Sequence, residues 1–279
     1  VSDARAQTLI TIAELASLLQ GGAPVVLLDV IDEKGAAPED RPKIPGALSV
    51  HLATDFSDKP TKLSGRRPLP KIMDLQANAR RWGISRDSQV VVYDSSAGAQ
   101  ASRAWWTFRW AGFRNVRILD GGLAAWTAAG KPTSTDILNE ATKAGTVALQ
   151  AGHIPTIEAH QAARIARSGV LLDARGKAAF VGEAGKPATG HIPGAKLAAS
   201  GDNIAGGQFK PAAELEAQFA ALLGNDGREV AVYCGSGNAA AHAIAAMHST
   251  GRTPALYVGS WSAWSADPSR PVAQGAEPG

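Results

Sequence analysis

A fold of two tandem α/β domains, each a mostly parallel sheet with helices on both faces, is predicted by three observations. Short apolar runs alternate with helical stretches, the whole pattern occurs twice, and 279 residues supply enough chain for two ordinary domains. The runs VVLLDV (residues 25–30), VVVY (90–93), VLLD (170–173) and VAVY (230–233) are dominated by Val and Leu without polar alternation. That pattern suits strands buried on both faces of a parallel sheet. Helices are predicted over residues 12–19, 74–82, 100–111, 157–167, 213–223 and 239–249, between the strands, as an α/β sheet covered on both sides requires. The first domain is placed at residues 1–130 and the second at 156–279. Residues 131–155, rich in Thr, Ala, Gly and Lys and weak in periodicity, form the connector.

The duplication is read from landmarks that recur in order. VVLLDV, IPGALSV, VVVYDSSAGAQASRAWW and LDGGLAAW in the first half correspond to VLLDAR, GHIPGAKLA, VAVYCGSGNAAAHAI and YVGSWSAW in the second. The offsets are 144 from Asp29 to Asp173, 148 from Pro45 to Pro193, 140 from Asp94 to Cys234 and 138 from Trp126 to Trp264.

Composition excludes several classes. No apolar run approaches the roughly 18 residues of a membrane span, and residues 1–10 lack the basic-then-apolar order of a secretion signal. The cytoplasm is therefore the expected compartment, with the periplasm left open. A net charge of +3, with Arg and Lys scattered, gives no footprint for nucleic acid. One cysteine can form neither an internal disulfide nor a multi-thiolate metal site. His242 and His248, six residues apart on one predicted helix, have the wrong spacing for a metal-facing pair.

That single cysteine, Cys234, sits in Ala231-Val232-Tyr233-Cys234-Gly235-Ser236-Gly237-Asn238-Ala239, where a buried strand passes through glycines into an Ala-rich helix, much like a nucleophile elbow. Glycines let the N–H groups of Gly235, Ser236, Gly237, Asn238, Ala239 and Ala240 turn inward around the sulfur as an anion cradle. The helix start adds a positive dipole end, and both effects favour thiolate over thiol. A lone cysteine at a strand end is ordinarily core filling, but core filling needs no Gly-x-Gly loop. A cysteine phosphatase would carry a phosphate-clamping arginine in this loop, and residues 235–241 contain none.

With these residues in place, the whole chain resembles the tandem-domain rhodanese family, which includes thiosulfate and 3-mercaptopyruvate sulfurtransferases. Asp173-Ala174-Arg175, Gly190-His191-Ile192-Pro193-Gly194-Ala195, the cysteine loop and Gly259-Ser260-Trp261-Ser262-Ala263-Trp264 carry the resemblance. It implies that Cys234 takes sulfur from a small donor as a persulfide and passes it to a thiol, cyanide or protein acceptor, in covalent ping-pong catalysis. Neither metal nor organic cofactor is implied. It further implies that the first domain, with Asp94 at the cysteine position, is catalytically silent and forms one wall of the cleft. A non-catalytic rhodanese-like module that binds a protein partner is the alternative.

In that family a Cys-Gly-Ser-Gly loop goes with mercaptopyruvate and a Cys-Arg-Lys-Gly loop with thiosulfate; Cys234 to Gly237 follows the first pattern. Three positions depart from it: Ala179 stands where an arginine grips the donor carboxylate, Lys43 replaces a first-domain histidine, and Asn238 occupies an apolar loop place. Arg175, Lys177 and Lys186 are the candidate anion-binding residues in place of the missing arginine. His191 is expected to fix a strand-entry turn, and the tryptophans to pack the domains and their interface.

Overall fold

The computed structural model describes residues 2–32, 41–183, 185, 186, 189–224 and 227–279. The first half runs α1 (Ser2–Thr8), β1 (Leu9–Ile10), α2 (Ile12–Gln20), β2 (Val25–Ile31), β3 (Leu48–His51), α3 (Leu52–Asp55), α4 (Ile72–Arg81), β4 (Gln89–Tyr93), α5 (Ala101–Trp110), β5 (Val116–Leu119) and α6 (Gly122–Ala128). The second runs β6 (Thr156–Ile157), α7 (Ala159–Ser168), β7 (Val170–Asp173), α8 (Lys177–Val181), β8 (Lys196–Leu197) and a 3-10 turn (Ser200–Asn203). It continues through β9 (Ile204–Ala205), β10 (Gln208–Phe209), α9 (Ala212–Leu223), β11 (Val230–Tyr233), α10 (Asn238–His248), β12 (Ala255–Tyr257) and α11 (Ser260–Trp264).

Each half forms a five-stranded parallel sheet, ordered β1-β5-β4-β2-β3 in one and β6-β12-β11-β7-β8 in the other. The Val-rich strands β4 and β11 lie at the two centres, so their carboxyl ends, where ligands of open α/β sheets bind, lead into the Asp94 and Cys234 loops. The correspondence extends to single atoms. Asp29 pairs across the sheet with Tyr93 and Asp173 with Tyr233, and each tyrosine hydroxyl accepts a hydrogen bond of 3.1 Å from the buried N–H of Ile44 or Ile192. Likewise Trp126 Nε1 donates to Pro132 O at 2.7 Å and Trp264 Nε1 to Pro271 O at 2.9 Å, tying down the chain after α6 and α11.

The predicted helices form within two residues of their expected ends, α7 starting late because Thr156 and Ile157 are taken into the sheet as β6. Sequence reading assigned nothing to α1 and β1, nor to the β9–β10 hairpin. Seven residues of Ala, Ser, Thr and charge carry no apolar stripe; α1 is anchored by Thr8, whose hydroxyl lies 2.7 Å from His248 Nδ1. The connector runs along the first domain, held by main-chain bonds such as Gly145 N to Arg80 O at 2.7 Å and His153 N to Trp110 O at 3.0 Å.

α5 packs on α10, and one apolar cluster containing Val92 and Trp105 continues through Val232, Cys234 and Ala243 into the other sheet. Smaller clusters around Val91 and Ala231 fill the outer face of each sheet. His248 sits in the interface with Nε2 3.1 Å from Arg109 Nη2 and its ring edge-on to Trp105, 5.3 Å between centroids. Burial pushes its pKa down to about 4, with the Arg109 charge adding to the effect, and burial does the same to His242 against the pull of Asp94. Above the ordinary value of 6.5 both histidines are neutral in the folded and unfolded chain; as pH falls from 6.5 towards about 4, only the unfolded chain takes up the protons. Stability is therefore complete above pH 6.5 and declines through that window. Urea midpoints measured from neutral pH downwards are expected to fall over this range, with a shallower fall in His248→Gln.

Candidate active site

Cys234 follows β11 and is buried, with its sulfur beneath the first turn of α10. Gly237 takes the left-handed conformation, φ 96°, and so turns its N–H onto Cys234 Sγ at 3.0 Å. The backbone of Cys234 is fixed from the other side. Cys234 N donates to Ser260 Oγ at 3.2 Å, Trp261 N donates to Cys234 O at 2.8 Å, and Ser262 N donates to Gly235 O at 3.0 Å. Ser260 itself holds a left-handed φ of 50°, uncommon outside glycine and found where the surroundings enforce it. Sequence reasoning gave Ser260 no role. The repeat contained the signal, because its counterpart is Gly122, at φ 56°, which opens α6 as Ser260 opens α11.

The matching loop of the first domain shows what such a loop can hold. Asp94 Oδ1 accepts from Ser96 N at 2.7 Å and Gly98 N at 2.9 Å, while Oδ2 accepts from Gln100 N at 2.7 Å and Ala101 N at 2.8 Å. Four inward N–H groups close on one carboxylate, an anion nest with its own anion inside. Gly98, φ 87°, does there what Gly237 does beneath the sulfur.

A cleft of about 730 Å³ opens over the cysteine loop. Ser236 and Asn238 contribute from the loop, and Arg66, Arg67 and Lys71 from the first domain. A Cβ built on Gly235 would lie 3.1 Å from Arg66 Nη2, and one built on Gly237 would lie 2.9 Å from Arg103 Nη1. Arg103, on α5, is wholly buried; Nη2 donates to Arg67 O at 3.1 Å, whereas Nε and Nη1 have no hydrogen-bond partner. Burial pushes its guanidinium down to about 10, opposed by its electrostatic interaction with Cys234, so it stays protonated at neutral pH. None of these three arginines stood out in the sequence, because each reaches the loop from the other domain.

The three candidate anion-binding residues of the second domain lie elsewhere. Arg175 is locked in place, with Nε 3.0 Å from Asp173 Oδ1, Nη2 2.6 Å from Gly190 O, and its guanidinium 4.5 Å over the Trp261 ring. Lys186 pairs with Glu183 on the surface, and Lys177 is exposed at the start of α8. None of them lines the cleft. Lys43 is buried under the connector, Nζ 3.4 Å from Asp136 O, and Ala179 is exposed. His191 stacks on Phe180 at 3.7 Å, with its ring nitrogens 2.8 Å from Phe180 O and 3.1 Å from Pro278 O, outside the cysteine loop.

The family model described as "Rhodanese-like domain" matches residues 11–129 and again residues 158–267. This chain belongs to the rhodanese family. It is 44% identical over 282 residues to SseB of Mycobacterium tuberculosis, provisionally named a thiosulfate sulfurtransferase, covering 98% of this chain and 99% of that one. It is 42% identical over 250 residues to a Pseudomonas aeruginosa protein provisionally named a 3-mercaptopyruvate sulfurtransferase, covering 86% of this chain and 87% of that one. The crystal structure of SseA from Escherichia coli, described as a 3-mercaptopyruvate sulfotransferase, superposes with a TM-score of 0.76 at 26% identity, over 91% of this chain and 98% of SseA. The chain is thus a tandem-domain rhodanese of the sulfurtransferase kind. No helix among the described residues is long and apolar enough to cross a membrane.

Gly237 offers the sharpest test of this rhodanese loop. In Gly237→Ala the left-handed φ alone costs about 1–2 kcal/mol, and the new methyl group would meet Arg103 Nη1 at 2.9 Å. The expected outcome is a lower denaturation midpoint together with a large loss of sulfur-transfer rate, read by thermal unfolding and steady-state assay on the same preparation.

Proposed function

We propose that this sulfurtransferase works through a persulfide on Cys234, formed from a small anionic donor at the head of α10. The observation that carries this reading is the paired loop geometry. Gly237 N–H meets the sulfur at 3.0 Å, in the loop whose twin closes four N–H groups on the Asp94 carboxylate. A cradle that accommodates a carboxylate suits the terminal sulfur anion of a persulfide, and Gly235, Ser236, Gly237, Asn238, Ala239 and Ala240 are its members.

The chemistry balances without a redox partner. The Cys234 thiolate attacks the outer sulfur of thiosulfate, an S–S bond forms as another breaks, and sulfite leaves with the bonding pair. With 3-mercaptopyruvate the C–S bond breaks instead, and the donor's thiol proton ends on the methyl carbon of pyruvate. A thiol, cyanide or protein thiolate then removes the outer sulfur and regenerates the Cys234 thiolate. Asp94, already saturated by four N–H groups, has no such chemistry, which leaves the first domain silent.

3-Mercaptopyruvate is the donor this loop favours through its resemblance to the Cys-Gly-Ser-Gly loops of mercaptopyruvate users, in which the loop's own side chains carry no charge, and Ser236 lines the cleft. Mass spectrometry after incubation with each donor is expected to show a gain of one sulfur on Cys234. Cys234→Ser should lose that adduct and all turnover, while its unfolding midpoint stays close to that of the native chain. A chain left unmodified by both donors would sink the persulfide reading.

A further inference from the structure

The two domains cover each other's loops in the same way. In the second domain, the β9–β10 hairpin reaches across to the first: Phe209 N donates to Asp120 Oδ1 at 2.8 Å, and its ring stacks on His242 at 4.6 Å beside the Asp94 loop. At the matching place in the first domain, between α3 and α4, Thr61 and Gly65 bridge antiparallel and the turn projects onto the cysteine side. Gly65, φ 78°, comes so close that a Cβ there would lie 2.5 Å from Gly259 O, and Arg66 N donates to Ser262 Oγ at 3.0 Å. Ser262 N in turn donates to Gly235 O. The segment carrying Arg66 is therefore latched to the loop that carries the nucleophile.

Among the cations on this wall, the arginines have distinct surroundings. Arg67 is paired with Asp32. Arg103 is sealed beneath the loop and cannot reach a donor in the cleft. Arg66 is exposed in the cleft, its Nη2 faces Gly235, and among the described residues its guanidinium has neither an ion pair nor a hydrogen-bond acceptor. A planar fork of donors left unfilled beside the nucleophile matches the oxyanion group that either sulfur donor presents.

We propose that Arg66, supplied by the silent domain, is the residue that holds the anionic group of the sulfur donor while its outer sulfur meets Cys234. The proposal rests on the persulfide reading and adds a donor-binding residue to it. Arg66 holds the donor equally before and during the transfer, so its contribution falls on donor KM rather than on kcat.

The test is steady-state sulfur transfer to cyanide, with 3-mercaptopyruvate and thiosulfate as separate donors, by native protein, Arg66→Ala, Arg66→Lys and Arg66→Glu. Loss of one charge-assisted contact should raise donor KM about tenfold in Arg66→Ala and further in Arg66→Glu, with kcat within about twofold of native. Arg66→Lys should recover most of the loss. A shift with 3-mercaptopyruvate alone identifies the carboxylate as the group held, and a shift with both donors identifies a general oxyanion site. A donor KM within about twofold of native in Arg66→Ala, for both donors, overturns the proposal. Mass spectrometry separates this from failure of the underlying chemistry: native protein that gains sulfur on Cys234 upholds the persulfide whatever Arg66 does, and native protein that gains none removes both readings.

Discussion

A short loop that leaves a buried strand and enters a helix, turning backbone N–H onto the side chain that ends the strand, sets the organisation of both halves. Inward N–H groups at that depth are costly without an acceptor, so each copy of the loop needs one. In the first domain the chain provides it permanently as Asp94. In the second the acceptor is the Cys234 sulfur, which takes the Gly237 N–H at 3.0 Å. The two sheets are nearly interchangeable down to the tyrosine that anchors Ile44 or Ile192, and the chemistry differs through the residue at the end of the central strand. This economy also explains the strain at Ser260, whose hydroxyl takes the Cys234 N–H at a position where the other copy simply has glycine.

Around these loops the domains complete one another. Each sends a hairpin over the partner's loop, and α5 and α10, the helices that grow out of the loops, form the interface between the domains. Arg103 belongs to that arrangement: a buried guanidinium with two unpartnered N–H-bearing nitrogens would be a liability in an isolated first domain, and it is placed against Gly237 and the sulfur charge only when the second domain is docked. The placement of Arg103 is thus a property of the interface and of neither domain alone.

This division decides what could be read from the sequence. The two parallel sheets and the cysteine loop between a buried strand and a helix follow from local signals: unbroken apolar runs, Gly-x-Gly after a strand, and the recurrence of ordered landmarks. A cation supplied across an interface leaves no local signal. Arg66-Arg67 reads as an ordinary surface pair, and Arg103 as a charge on a Trp-rich helix, until the fold sets them beside Gly235 and Gly237. Arg175 illustrates the converse error of proximity. It lies near the loop in the sheet, yet Asp173, two residues earlier, and Gly190 O absorb its donors, and Trp261 covers its face. The short α1 and the β9–β10 hairpin were invisible for a related reason, since contacts with the opposite domain hold them and their own periodicity is too short to register.

The first domain, with Asp94 in its loop, brings more to the second than the shared core that runs through both sheets. What the second sheet cannot furnish is positive charge at the sulfur. Its own arginine there is consumed by Asp173, its lysines at positions 177 and 186 face solvent, and its loop contains no cation at all. A small anionic donor approaching a buried thiolate meets like charge, and a low-dielectric cleft strengthens that repulsion as much as it strengthens any attraction. The charges that can offset it, the guanidinium of Arg66 at the cleft surface, unpaired among the described residues, and Arg103 fixed beneath the loop, belong to the domain that has Asp94 in place of a cysteine. The two copies thus differ in what they bring to the cleft: one carries Cys234, and the other, with its own loop closed on Asp94, sets Arg66 and Arg103 against Gly235 and Gly237.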